Sequence, residues 1–455
     1  MGMAETVDTT ERSTAFVLSG GGAKGSFSAG ALDYLIRELG ITPSILTGTS
    51  AGSLCAGILA QARTTAEFFA IAGRLREDII RMSVAGAAFA PQPWLGALDG
   101  TAAGDDIQNL VKGRTRAPIP PDPTSDSDVL ADSTPPELTL RQGWEDLKSL
   151  VTTVATQRKA LHSFAANNRS IMVLDPLEAA FQGKTPGVGP SPLDETLVAR
   201  PGVQLRLTIT ALQDACIRYV TESGAIVDVD AVTPAPGAPT PGVIQGMLAS
   251  SSVPMVFEPR KLGDDVYVDG GVLENIPLAP ALQLGADDVY VVLADPLGCP
   301  APKMDYAKAD MFNVMLRSES EVAFYDQQRR DLLVPQPAGN TLTLIDPTLE
   351  VVSTFETEAA LLSISMDYGW LRACGETSTL AAQDRAHAHE LADNITIGRV
   401  RCWYLQQGEG GTGDAHDKAL ASAQNLIQTS LADWRSLGLA LPTKADSWSG
   451  SGGTG

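Results

Sequence analysis

The chain has 455 residues, 44% of them hydrophobic and 19% charged, with a formal charge of −21. That length and apolar fraction suit one large domain with insertions, or two domains, around a substantial core. The acidic balance excludes nucleic-acid binding and polybasic docking on anionic lipid, which leaves an exposed apolar surface as the route for transient contact with a membrane surface.

In chain order, residues 1–13 are polar and acidic, without a hydrophobic signal core, and are expected to be disordered. Thr14-Ala15-Phe16-Val17-Leu18-Ser19 reads as a buried strand. It runs into Gly20-Gly21-Gly22-Ala23-Lys24-Gly25 and then a helix over 26–39, with Leu32, Leu35, Ile36 and Leu39 on one face. The glycines therefore lie between a strand end and a helix start, where unpaired backbone N–H groups attract negative charge. A dinucleotide fingerprint needs an acidic residue at the end of the next strand, and residues 40–49 contain none. A triphosphate loop needs Gly-Lys followed by Ser or Thr, whereas the order here is Lys24-Gly25-Ser26. The third reading is an oxyanion hole, with backbone donors aimed at the oxygen that turns negative when a serine attacks an ester.

That serine follows directly. Ser44-Ile45-Leu46-Thr47 has strand length, and residues 53–60 are small and apolar, as in a buried helix. Between them Gly48-Thr49-Ser50-Ala51-Gly52 reads Gly-x-Ser-x-Gly, a serine held on a tight strand-to-helix turn. Gly48 and Gly52 keep the turn clear of side chains. The bland reading of the same residues is a small-residue turn whose serine caps the next helix. Only the oxyanion reading gives the upstream glycines and Ser50 one shared task.

Residues 63–201 form a largely helical middle region, a candidate cap. It starts with an amphipathic helix in which Phe68, Ile71, Leu75, Ile79 and Met82 keep helical spacing, suited to core packing or to lining an acyl pocket. The longest uncharged stretch, 82–98, is broken by Gly86, Pro91, Pro93 and Gly96 and cannot span a membrane. A Pro- and Asp-rich loop over 118–136 and helices over 144–164 and 176–181 follow. Strands are expected at 203–212 and 217–220, and a helix at 243–251. Asp265-Val266-Tyr267-Val268-Asp269-Gly270-Gly271 reads as a strand delivering a carboxylate to its end. A strand at 289–294 runs into Asp295. Beyond 300 the pattern is helical (311–333, 357–371 and 379–437, interrupted at 408–413), with a strand at 341–345 and a Gly/Ser-rich tail over 447–455.

A serine hydroxyl needs a proton acceptor. His387, His389 and His416 satisfy the chain order of a Ser-Asp-His triad but sit in charged or Gly/Asp-rich surroundings that read as surface; His162 precedes the acids. The better candidate is Asp269, with Asp295 and Asp346 as rivals that are each followed by proline. Five scattered cysteines (Cys55, Cys216, Cys299, Cys374, Cys402) lack any Cys-x-x-Cys and read as reduced, with no metal site and no cofactor implied.

Three ordered segments, Gly20 to Gly25, Gly48 to Gly52 and Asp269-Gly270-Gly271, together resemble the patatin-like phospholipases. A fourth, Ala249-Ser250-Ser251-Ser252-Val253-Pro254, is similar to the family's stretch before its Asp-Gly-Gly. The resemblance implies a three-layer α/β fold whose central, mostly parallel sheet is flanked by helices, here with a helical insertion and a helical C-terminal region. The catalytic domain would span 14–300, with a mostly helical part over 301–446. It also implies a lipid acyl hydrolase with Ser50 as nucleophile, Asp269 as base, an oxyanion hole from Gly20, Gly21 and Gly22, Lys24 beside it, and Gly270 and Gly271 supporting the acid. The substrate would be a lipid or phospholipid, and the location the cytoplasm, with a non-classical secretion route left open. Two other classes stay open on the sequence: a Ser-His-Asp esterase of the α/β-hydrolase type, and a catalytically silent lipid- or partner-binding scaffold.

Overall fold

In the computed structural model, which describes residues 12–84, 86–98, 117–124, 129–130, 169–298, 305–309, 314 and 317–448, the chain opens with β1 (Thr14–Leu18), α1 (Gly25–Asp33), β2 (Ile45–Gly48) and α2 (Ala51–Leu59). Next come α3 (Thr65–Ser83), the short pair β3 (Ala90–Pro91) and β4 (Met172–Val173), and helices α4 (Asp175–Phe181) and α5 (Glu195–Val198). The middle of the sheet is built by β5 (Gln204–Ala211), β6 (Cys216–Thr221), β7 (Ile226–Val227), α6 (Val243–Ser250), β8 (Arg260–Leu262) and β9 (Asp265–Asp269). The chain finishes with α7 (Leu278–Gln283), β10 (Asp288–Val292), α8 (Ala323–Leu332), β11 (Thr341–Ile345), α9 (Ala359–Glu376), α10 (Ala382–Gln406) and α11 (Asp414–Ser436). The helix expected at 144–164, His162, most of the loop at 118–136 and the tail beyond Trp448 lie outside the described residues, while Trp448, expected in that tail, is buried.

Parallel pairing runs from β11 through β10, β1 and β2 to β5, and antiparallel β6 and β7 extend that edge. The central strand β1 is apolar on both faces because both are covered. Phe16 and Leu18 point into a core shared with α1, α2, α3 and the C-terminal helices. Ala15 and Val17 point the other way, onto Leu278 and Ala281 of α7. The result is a three-layer α/β arrangement with a mixed, mostly parallel sheet between helices.

Two details position the site. First, β5 carries two partners on one edge. Its first half pairs in parallel with β2, Gly48 opposite Leu207, and its second half pairs antiparallel with β9, Asp269 opposite Ile209. The ends of β2 and β9 thus approach each other along one strand, two β5 residues or about 7 Å apart. Second, α9 lies so close to α1 that a Cβ on Gly30 would stand 1.7 Å from the Met366 carbonyl oxygen, and one on Gly369 2.0 Å from that of Phe27. The C-terminal helices therefore share the main core rather than forming a separate one.

Candidate active site

Ser50 occupies the junction between β2 and α2, with φ 51° and ψ −122°. A non-glycine residue in that region carries about 1–3 kcal/mol of strain and persists only where its surroundings impose it. The surroundings do so here. The Ser50 amide donates to Ser250 Oγ at 2.9 Å, Ser53 Oγ donates to the Ser50 carbonyl at 2.6 Å, and the Thr49 amide continues the β1 ladder to the Leu18 carbonyl. The flanking glycines are required by contact: a Cβ on Gly48 would stand 2.4 Å from the Gly52 carbonyl oxygen, and one on Gly52 2.2 Å from that of Leu18. Gly52→Ala is expected to destabilise the protein by about 1–3 kcal/mol through this overlap. Thermal unfolding checks it, and an unchanged midpoint would show that the turn can relax.

Asp269 ends β9, 5% exposed, and its amide donates to the Ser252 carbonyl at 2.9 Å. Two serines of one segment thus hold both candidate residues, Ser50 through the Ser250 side chain and Asp269 through the Ser252 backbone. Asp269 Oδ1 accepts from the Gly271 amide at 2.7 Å. Burial pushes its carboxyl up to about 7, while the nearby Ser50 hydroxyl and the Gly271 amide pull the other way. The Ser50 approach is looser than a formed hydrogen bond, because the buried Oδ2 has no partner of hydrogen-bond geometry. Such contacts often tighten only around substrate.

The glycine-rich loop crosses from β1 to α1 beside Ser50. Of its three candidate donors, the Gly20 amide is already engaged, donating to the Asn275 carbonyl at 3.2 Å. This corrects the expectation that all three glycines are available as donors. Among the described residues no acceptor meets the Gly21 and Gly22 amides. An open cavity of about 160 Å³ holds Gly22 and Ser50 in its wall. The rest of the wall is mainly apolar, including Leu54, Ile58, Leu75, Ile79, Phe89 and Phe257. Helix α3 therefore serves both tasks read from its periodicity: Phe68 is core, while Leu75 and Ile79 also face the cavity.

The family model for patatin-like phospholipases matches residues 16–182 and 206–282, more than half of the chain. The chain belongs to the patatin-like phospholipase family. Among solved structures it is similar to VipD from Legionella pneumophila, at 14% identity and a TM-score of 0.30, covering 96% of this chain and 83% of that one. It is also similar to the heterodimeric ExoU–SpcU complex from the type III secretion system of Pseudomonas aeruginosa, at 15% identity and a TM-score of 0.24, covering 96% of this chain and 68% of that one. No curated protein matches it.

Within this patatin-like frame several side chains stand elsewhere than expected. Lys24 does not line the cavity. Its ammonium donates to Asp295 Oδ1 at 2.6 Å and pairs with Glu350. Burial alone would lower its proton affinity, but the two carboxylates outweigh burial and raise it. Lys24 is thus a neutralised strut behind the glycine loop rather than a free cation beside the oxyanion position, and Asp295, the rival base, is its counter-ion. Asp346 accepts from Arg372 at 3.3 Å. No described histidine lines the cavity. His387 faces Glu390, His389 faces Glu376 with its proton affinity lowered to about 4 by burial, and His416 bonds the Leu405 carbonyl. Among the described residues no cluster of three or more His, Cys, Asp or Glu side chains is arranged for a metal, and no helix is long and apolar enough to cross a membrane.

Two contributions escaped the sequence reading. Ser250 holds the strained turn, a role invisible in a run of three serines. Residues 353–357 run past the glycine loop, where the Thr354 carbonyl accepts from the Ala23 amide at 2.8 Å and Phe355 packs edge-on to Phe89 at the cavity wall. The serine run is marked only by its resemblance, with no role for Ser250, and residues 353–357 carry no local pattern at all.

Proposed function

We propose that the chain is a lipid acyl hydrolase that cleaves carboxylic esters through a Ser50–Asp269 dyad. The observation that carries this reading is a strained serine in the wall of an apolar cavity, with a buried acid of raised proton affinity close behind it. The acyl chain of a lipid or phospholipid lies in the cavity, its ester carbonyl at Ser50. Ser50 Oγ attacks the carbonyl carbon while its proton passes to Asp269. The oxygen that becomes negative is met by the unengaged amides of Gly21 and Gly22. Collapse of the tetrahedral intermediate breaks the bond to the alcohol, which leaves with the proton from Asp269. Water then attacks the acyl-enzyme, gives its proton to Asp269, and releases the fatty acid as Ser50 is regenerated.

A fluorophosphonate probe tests the nucleophile directly. The expected result is one covalent adduct on the peptide containing Ser50, located by mass spectrometry and absent in Ser50→Ala. Failure to label, or labelling at another serine, would remove the proposal and favour a silent scaffold.

A further inference from the structure

Helix α8 lies outside the residues matched by the family model. Even so, its polar side chains grip the loop that follows Asp269. Asp331 Oδ2 accepts from the amides of both Asn275 and Ile276, at 2.9 Å each. One turn earlier on the helix, Gln327 Nε2 donates to the Gly271 carbonyl at 3.3 Å. Gly271 is the residue whose amide fixes Asp269 Oδ1.

On its other side the same loop is bonded to both remaining motifs. The Asn275 carbonyl takes the Gly20 amide at 3.2 Å, and the Glu274 carbonyl takes Thr49 Oγ1 at 3.0 Å. Residues 270–276 therefore touch the glycine loop, the Ser50 turn and Asp269 together. The Asn275 peptide is bonded at both ends, to Asp331 through its N–H and to Gly20 through its carbonyl.

Asp331 is not needed to dock its helix, since the neighbouring Leu332 packs into the apolar cluster beneath β1 and β10. Among the described residues no cation pairs with it, and burial pushes its carboxyl up to about 6 against the pull of the two amides. A partly buried carboxylate without a cation is held at an energetic cost. Two charge-assisted bonds from one backbone stretch are its compensation, and they fix the position of that stretch.

We infer that Asp331 and Gln327 are positioning residues of the hydrolytic site, acting through loop 270–276 to hold Asp269 and the glycine loop in register with Ser50. The inference rests on the dyad reading above. Misplacement of reacting groups by about 1 Å can lower turnover by about 10²-fold without disturbing binding.

The test compares kcat and KM for a short-chain nitrophenyl ester across the full-length wild type, Ser50→Ala, Asp331→Ala, Asp331→Asn and Gln327→Leu. Asp331→Ala is expected to lose about 10- to 100-fold in kcat with little change in KM. Asp331→Asn, whose amide oxygen still accepts both N–H groups, is expected to recover most of that loss. Gln327→Leu removes one neutral hydrogen bond and should lose about 2- to 10-fold in kcat. An inactive Ser50→Ala beside an unchanged kcat in Asp331→Ala overturns the positioning role, as does a loss that Asn fails to rescue. Should Asp331→Ala not fold, an unchanged kcat in Gln327→Leu overturns it instead. A fully active Ser50→Ala overturns the dyad reading itself, which is a distinguishable result.

Discussion

Ser50→Ala is expected to lower kcat for phospholipid and nitrophenyl-ester hydrolysis by about 10⁴-fold or more, since no acyl-enzyme can form without the hydroxyl. The change removes one atom from a residue 8% exposed and leaves the Ser50 amide free to keep its bond to Ser250. The cavity wall stays intact, so lipid binding should survive the loss of turnover. Fatty-acid release measured beside lipid binding separates the two. Activity equal to wild type would mean that another group carries the reaction.

Asp269→Asn is expected to lower kcat by about 10²- to 10⁴-fold, the range of a lost general base. It should also remove a pH dependence. With the carboxyl pushed up to about 7 by burial, wild-type kcat/KM should fall about tenfold per pH unit below 7, where Asp269 is protonated and cannot take the Ser50 proton. Residual activity of the variant should lack that limb. Stability moves the opposite way. A carboxyl whose folded-state value lies above its unfolded value of about 4 contributes stability below pH 4 that is lost as pH rises to about 7. Asn has no charge to bury, so the variant should melt higher than wild type at pH 8, with the gap closing toward pH 4. A less active variant that is also less stable at pH 8 would count against the buried-base account.

The parts of this architecture legible in the sequence are those written locally. Apolar runs ending at glycine or an acid mark β1, β2, β9 and β10, and β11 falls where its alternating Thr-Leu-Thr-Leu-Ile predicts. Strands β7 and β8, of two and three residues, are too short to leave a periodic signal. At the candidate site, residue types are legible but hydrogen-bond commitments are not. Gly20 reads like its neighbours, yet its amide is taken by a residue more than 200 positions away. Nothing local to Lys24 announces its partners, and only tertiary structure brings it two carboxylates. Asp331 follows Arg329 and Arg330 in a stretch that reads only as helical, and nothing in it announces that the carboxylate turns inward onto backbone amides.

The shared edge of β5 has a consequence for synthesis. Ser50 and Asp269 are about 220 residues apart and meet only where β2 and β9 abut on that strand. A ribosome making about 5–20 residues per second completes the serine turn at least 10 s before it supplies the acid. On the dyad reading proposed above, a nascent or prematurely terminated chain would hold the serine without its acid until β9 joins β5. On that reading hydrolysis would report that β9 has taken its place on β5, and copies cut short before it would be inactive.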